Sequence, residues 1–345
     1  MSKQLVSWEE IREDFENKET SLLLGKGFSC AVWNRFKDSS LYQEASLQNN
    51  GGSFLSEEDR QIFDKLETKN FEKVLATLST TKEVNEILGA QAHSEILLKI
   101  DERYQNIQRS LIQAVERVHI PWRDIPPEVF TTVKKEILKY QNLFYTSYDL
   151  LIYWSLTSDG YFEGFRDYFS RNEFQEKSAI EDKRLRVFYI HGGLHLYSEG
   201  EKILKITNKG ENILEQCKQL WTDPNFRPLF MAEGTWRDKL KFIRNSDYLF
   251  FAYNRLKQNT DKLVVLGNPL NLDKSLLDKN HDFNKHLLDA IVESSPKTVA
   301  ISITDDGDVA QQIKYWEGVM KPDDIQFFDE KSHPLCSPGI RLEAD

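Results

Sequence analysis

The second half of the chain sets short apolar runs between amphipathic ones, and that alternation narrows the fold more than any other feature. KLVVLG, KTVAISI and IQFFDE are rich in β-branched or aromatic residues, while HDFNKHLLDAIVES and VAQQIKYWEGVM carry apolar residues at helical spacing. NLFYTSY and RLRVFYI give the same strand signal upstream, and SLLLGKGFS gives it first, from Ser21 to Leu24. Apolar strands separated by helices need cover on both faces. They predict an α/β fold with a mainly parallel sheet.

Between the first and second strands the rhythm changes. From Glu57 to Tyr140 the pattern is almost wholly helical. SEEDRQIFDKL opens on an N-cap serine with acidic residues in its first turn. SEILLKIDERYQNIQRSLIQAVERV repeats apolar residues near i, i+3 and i+4, and PPEVFTTVKKEILKY begins with proline in its first turn. Residues 1–55 and 141–345 are therefore expected to form one α/β domain, with 56–140 as a helical insertion. Farther on, LHLYSEGEKILKIT alternates around a glycine and predicts a hairpin. PLFMAEG reads as another strand running into glycine, and TWRDKLKFIRNSDYLFFAYNRLK as helix.

Composition excludes several classes. The 345 residues are 40% hydrophobic and 29% charged, the balance of a globular protein, and the net charge of −10 argues against a surface that coats nucleic acid. No direct nucleic-acid binding is expected. Cys30, Cys217 and Cys336 are too scattered for a zinc module or a disulfide framework. No apolar stretch approaches the roughly 20 residues that span a bilayer. The charged N-terminus is unlike a signal peptide, so cytoplasmic residence is the expectation.

Chemistry gathers where strands end. In a parallel sheet, ligands sit beyond the carboxyl ends of the strands. Four ends stand out: Gly25-Lys26-Gly27-Phe28-Ser29, Thr146-Ser147-Tyr148-Asp149, His191-Gly192-Gly193 and Gly267-Asn268-Pro269-Leu270. Each has a plain alternative. The first glycines are either a tight turn or a place where backbone approaches a ligand. Asp149 either lines a site or caps LLIYW, His191 is either a base or a core histidine, and Gly267 is either a site or a turn residue. Glu233 is read either as a ribose contact or as the start of a helix at Thr235. His281 and His286 read as surface or capping residues, and the aromatic residues around Phe144 and Tyr145 as core. His191 and His195 are four apart, but HGGLHLY is strand and turn, so no metal site is expected.

Order and content together resemble the sirtuin-like fold. LLLGKGFSCAVW, FYTSYDLLIYW, VFYIHGGLHLY, LFMAEGTWRDKLKFIRNSDYLFFA and LVVLGNPLNLDK resemble a bacterial sirtuin-like family of NAD-consuming proteins linked to anti-phage defence. The resemblance implies a Rossmann-type sheet and NAD+ as substrate, cleaved between nicotinamide and ribose. It implies that Gly25, Lys26, Gly27, Phe28 and Ser29 hold pyrophosphate, joined at the cofactor site by Gly267 and Asn268. It further implies that Asp149 and Tyr148 line the nicotinamide side and that His191 is the general base or orients water. The family asparagine before Tyr-Asp is Ser147 here, a change that weakens or abolishes positioning of the water or ribose. Pro269 stands where the late loop usually has serine, and Lys26 where relatives often have asparagine.

Deacylase sirtuins carry four zinc-binding cysteines, which three scattered ones cannot supply. The expectation is an NAD+ hydrolase that releases nicotinamide and ADP-ribose, the effector of a defence system that depletes NAD+, as a homo-oligomer. Two alternatives stand beside it: a catalytically weakened NAD or ADP-ribose sensor, and a subunit active only with an ATPase or other defence-system partner.

Overall fold

A computed structural model describes residues 5–38, 41–47, 53–69, 71–88, 95–158, 164–178, 183–207, 212–223, 225–231, 236–267, 284–304, 309–320 and 325–342. With strands numbered in chain order, one parallel sheet holds β1 (Leu5–Val6), β2 (Thr20–Leu24), β3 (Asn142–Tyr145) and β4 (Phe165–Arg166). It continues with β7 (Leu185–Tyr189), β11 (Lys262–Leu266), β12 (Val299–Ile303) and β13 (Ile325–Asp329). The spatial order is β1-β13-β12-β11-β2-β3-β7-β4, and every pairing is parallel. Leu22 pairs with Val264 on one side and Leu143 on the other. Leu22, Leu23 and Leu24 are all fully buried, so both faces of β2 are covered.

Apart from the two-residue edge strands β1 and β4, the sheet grows outward in both directions from β2: through β3 to β7, and through β11 and β12 to β13. This is the doubly wound order, and it reverses between β2 and β11. The crevice at that reversal opens beyond Leu24 and Leu266, where Gly25 and Gly267 follow.

A second, antiparallel sheet holds β5 (Phe169–Ser170), β6 (Glu173–Phe174), β8 (Gly192–Glu199), β9 (Lys202–Lys205) and β10 (Phe226–Phe230), in the order β10-β8-β9-β6-β5. The hairpin expected in LHLYSEGEKILKIT is β8–β9, turning at Gly200 in the left-handed region at φ 59°. PLFMAEG does not extend the parallel sheet. Its strand is β10, paired with β8, half-buried to exposed from Phe226 to Pro228 and buried at Leu229 and Phe230, as a one-sided antiparallel strand tolerates.

The helices Glu57–Lys65, Phe71–Ile87, Glu95–Val118 and Pro127–Ile137 lie between β2 and β3 in sequence. Ser56 and Asp59 cap the first reciprocally, each side chain accepting from the other's backbone amide at 3.1 Å. Their apolar residues join those of the sheet in one continuous core. Trp33 Nε1 also donates to the Val118 carbonyl at 3.0 Å. The long helix expected downstream of Thr235 is two, Trp236–Arg244 and Asp247–Lys257, the second capped by Ser246. Among the described residues, no helix is long and apolar enough to cross a membrane.

Candidate functional site at the strand ends

The glycine turn after β2 meets the chain's own backbone. Gly25 N–H donates to the Leu266 carbonyl at 2.9 Å and Gly27 N–H to the Gly267 carbonyl at 2.6 Å. A Cβ on Gly27 would stand 2.5 Å from Gly267 Cα, so only glycine lets the two crossing segments touch. Gly267 itself has φ 61°, and its amide donates to Ser302 Oγ at 3.1 Å. Phe28 N–H returns to the Gly25 carbonyl at 3.2 Å. Three amides expected to face pyrophosphate therefore bond to protein carbonyls. The helix that follows, Lys26–Val32, has seven residues, with Lys26 half-buried and Phe28 in the core.

Asp149 is the hub of the site. Fully buried, its carboxylate accepts from Ser29 Oγ at 2.6 Å, Ser147 Oγ at 2.5 Å and the Tyr145 hydroxyl at 2.8 and 2.9 Å. It also accepts from the Leu151 amide at 2.9 Å, at the start of the helix Leu151–Thr157. The lining and helix-start readings of this residue thus meet in one side chain. A charge taken out of water is tolerable only with such a full set of donors. Ser29, expected to donate to phosphate, points instead at this carboxylate. Burial and the neighbouring Asp149 hold the Tyr145 phenol well above its ordinary range. The Tyr148 ring stacks on Phe230 at 5.4 Å.

His119 stands behind Asp149. Its Nε2 accepts from the Leu150 amide at 3.1 Å, so the proton sits on Nδ1, which donates to the Ile120 carbonyl at 2.8 Å. Burial lowers its pKa, against the pull of Asp149.

His191 closes the site from β7. Its Nδ1 lies 3.0 Å from the Thr146 carbonyl, which can only accept, so Nδ1 carries the proton. Its Nε2 faces Nε2 of His286 at 2.8 Å, and in the neutral pair His286 donates. Burial and then the charge of Lys239 push the His191 pKa down to about 3. His286, expected at the surface or in a cap, is 1% exposed and shifts the same way, well below its usual value, through burial, His191 and Lys239. The expectation fails because His286 falls on the inward face of the helix Lys285–Ser294. Gly192, with φ 75°, passes so close to Leu229 that a Cβ there would overlap its carbonyl oxygen, and Leu194 N–H then donates to the Tyr148 carbonyl at 2.9 Å.

The strand ends after β2, β3 and β7 therefore share one hydrogen-bonded cluster, and Gly267 joins it by backbone. His195 lies apart in the core, packed on Tyr153 at 4.5 Å and Tyr189 at 4.6 Å. Among the described residues, no group of three or more His, Cys, Asp or Glu is placed to hold a metal ion. Asn268, Pro269, Glu233 and His281 lie outside the described residues. Sequence reasoning missed His119, Tyr145 and His286. His119 and His286 reach the cluster through tertiary packing, whereas Tyr145 ends β3 and turns its hydroxyl to Asp149 four positions on.

The model of one protein family, described as a domain of unknown function (DUF4917), matches residues 22–335. The chain belongs to that family. The DUF4917 match begins within β2 and runs through the helices 57–137 and the strand-end cluster to the stretch beyond β13. Among curated proteins none matches the chain.

Proposed function

We propose that this DUF4917 protein binds NAD+ at the carboxyl ends of β2, β3 and β7 and hydrolyses it to nicotinamide and ADP-ribose, as the resemblance to bacterial sirtuin-like proteins implies. One observation carries the reading. Ser29, Ser147, Asp149 and His191, drawn from three strand ends, converge beside the point where strand order reverses, the position at which doubly wound sheets bind nucleotides.

In this reading water adds to the ribose carbon as the nicotinamide bond breaks, and one proton is released for each NAD+. His191 is neutral at pH 7, and its Nδ1–H to Thr146 leaves the lone pair on Nε2. That lone pair takes up a proton from water or a ribose hydroxyl once His286 yields its place. Asp149 and its hydroxyl donors hold the neighbouring loops in register. The biological setting, depletion of NAD+ in anti-phage defence by a homo-oligomer, rests on the resemblance alone.

A second reading has its own support. An imidazole whose pKa is held at about 3 and whose Nε2 is already engaged is a poor base at neutral pH. That favours a catalytically weakened NAD or ADP-ribose sensor, or a subunit switched on by an ATPase or other partner, and Ser147 in place of asparagine points the same way. Calorimetric titration with NAD+ and ADP-ribose, beside an assay for released nicotinamide, separates the two. Turnover lost in His191→Ala supports hydrolysis. Binding without turnover, with activity gained in Ser147→Asn, supports the sensor. No binding of either ligand sinks both.

A further inference from the structure

Eight large apolar residues stand exposed among those described, and five of them, Val84, Ile87, Leu88, Ile96 and Leu98, belong to the facing ends of two helices. The helices Phe71–Ile87 and Glu95–Val118 pack together, and the short connection between them makes them antiparallel. Lys82 Nζ meets both carboxylate oxygens of Asp101 at 2.9 Å. Counting outward from that pair brings Ile87 level with Ile96, and Val84 within a turn of Leu98. The five therefore share one end of the helix pair.

Towards that end the first helix reverses its pattern. Phe71, Val74, Leu75 and Leu78 recur at i, i+3, i+4 and i+7 and are buried. The positions that continue this face are Lys82 and Asn85, which are polar and half-buried. On the outward side Thr77, Thr81, Val84 and Leu88 recur at i, i+4, i+7 and i+11, the spacing of a helix-packing seam, with Ile87 beside them. Helical bonding runs through to Leu88, whose N–H donates to the Val84 carbonyl at 3.0 Å. No charged side chain lies on the seam. Its two hydroxyls are satisfied within the helix, Thr77 Oγ1 by the Lys73 carbonyl and Thr81 Oγ1 by the Thr77 carbonyl, each at 2.7 Å. The seam thus asks for no polar partner.

We propose that this seam is the contact between two copies of the chain, paired about a two-fold axis. Charge is the first argument. An uncharged seam can lie on its own copy without burying like charges, which is what a contact between identical surfaces requires. The stretch 82–103 carries five carboxylates against three bases, and each of the three bases is already ion-paired. Such acidic surroundings disfavour anionic lipid and nucleic acid as the occupant.

Area is the second argument. The five exposed residues leave roughly 600 Å² in water, the upper end of what a monomer ordinarily shows in one patch. Doubled across a two-fold axis this is about 1,200 Å², where specific interfaces begin, and a polar rim adds to it. Ile87 and Leu88, 84% and 79% exposed, give up the most surface on pairing. The contact is independent of NAD+ binding at the strand ends.

The test is sedimentation of the full chain from about 1 to about 100 μM, the range in which an interface of this size associates. A reversible dimer is expected. Ile87→Asp and Leu88→Asp, both at exposed positions, are each expected to weaken it about tenfold or more, with melting curves to show that the fold is kept. Phe250→Asp, at an exposed apolar position on the helix Asp247–Lys257, is expected to leave the dimer unchanged. A chain that is monomeric at every concentration overturns the proposal, as does a dimer that keeps its strength in both seam variants or loses it equally in Phe250→Asp. A monomer that binds phosphatidylserine vesicles through Ile87 also overturns it, and would assign the seam to a membrane surface.

Discussion

His191 and His286 stand 95 positions apart in sequence and face each other Nε2 to Nε2 at 2.8 Å. Each ring is almost wholly enclosed, and Lys239 adds positive charge nearby that disfavours protonating either. One proton shared between two neutral rings is the state such surroundings favour. A second proton between them would make one ring a buried cation and set two N–H donors against each other inside the core.

Acid should therefore unfold the protein early. His119, His191, His195, His286 and His333 are all buried with lowered pKa values, His191 and His333 to about 3. The unfolded chain takes up protons near the ordinary histidine value of about 6.5 while the folded chain does not, so stability is complete above that pH and falls below it. Each such ring costs up to about 1.4 kcal/mol per pH unit in that window. Melting temperature measured from pH 7.5 down to pH 5 should drop steeply below 6.5. A flat profile would contradict the burial of these rings.

Asp149→Asn should destabilise by about 2–4 kcal/mol, because the amide faces its NH2 toward groups that now donate to the carboxylate. Ser147→Ala removes one bond and should cost about 1 kcal/mol. Urea denaturation of both variants checks the order. Equal losses would show that Asp149 is not the hub.

Gly27→Ala should cost about 3 kcal/mol or more, since its Cβ would meet Gly267 Cα at 2.5 Å with backbone on both sides. Gly318→Ala is the matched control, because a Cβ there meets nothing within 4 Å on the helix Val309–Val319. It should stabilise by up to about 1 kcal/mol. Thermal melts of the pair decide the matter. A neutral Gly27→Ala would remove the backbone contact as the reason for the glycine.

How far the sequence could be read follows from the same residues. Parallel strands end on one edge of their sheet, so reading β2, β3 and β7 as strands was enough to bring Ser29, Asp149 and His191 toward one place. The glycines after β2 were legible as special, but not their cause. Gly27 needs its freedom because Gly267 lies against it, and a contact between residues 240 positions apart leaves no local trace. His286 sits among residues at helical spacing, where one histidine on either face gives the same pattern. Tyr145 ends an apolar strand and reads as core, which its ring is, while its hydroxyl serves Asp149. The two-residue strands β1, β4, β5 and β6 are shorter than any periodic signal, and the apolar PLFM of the sequence hides a β10 that begins at Phe226 and pairs antiparallel with β8.

The most direct test of the NAD+ reading is a turnover assay on the purified protein, following nicotinamide and ADP-ribose in equal amounts, with His191→Ala and His286→Ala alongside. The account predicts equimolar products from the natural sequence, loss of turnover in His191→Ala, and faster turnover in His286→Ala, where Nε2 of His191 is released. Absence of NAD+ binding, or turnover that survives His191→Ala unchanged, would contradict it.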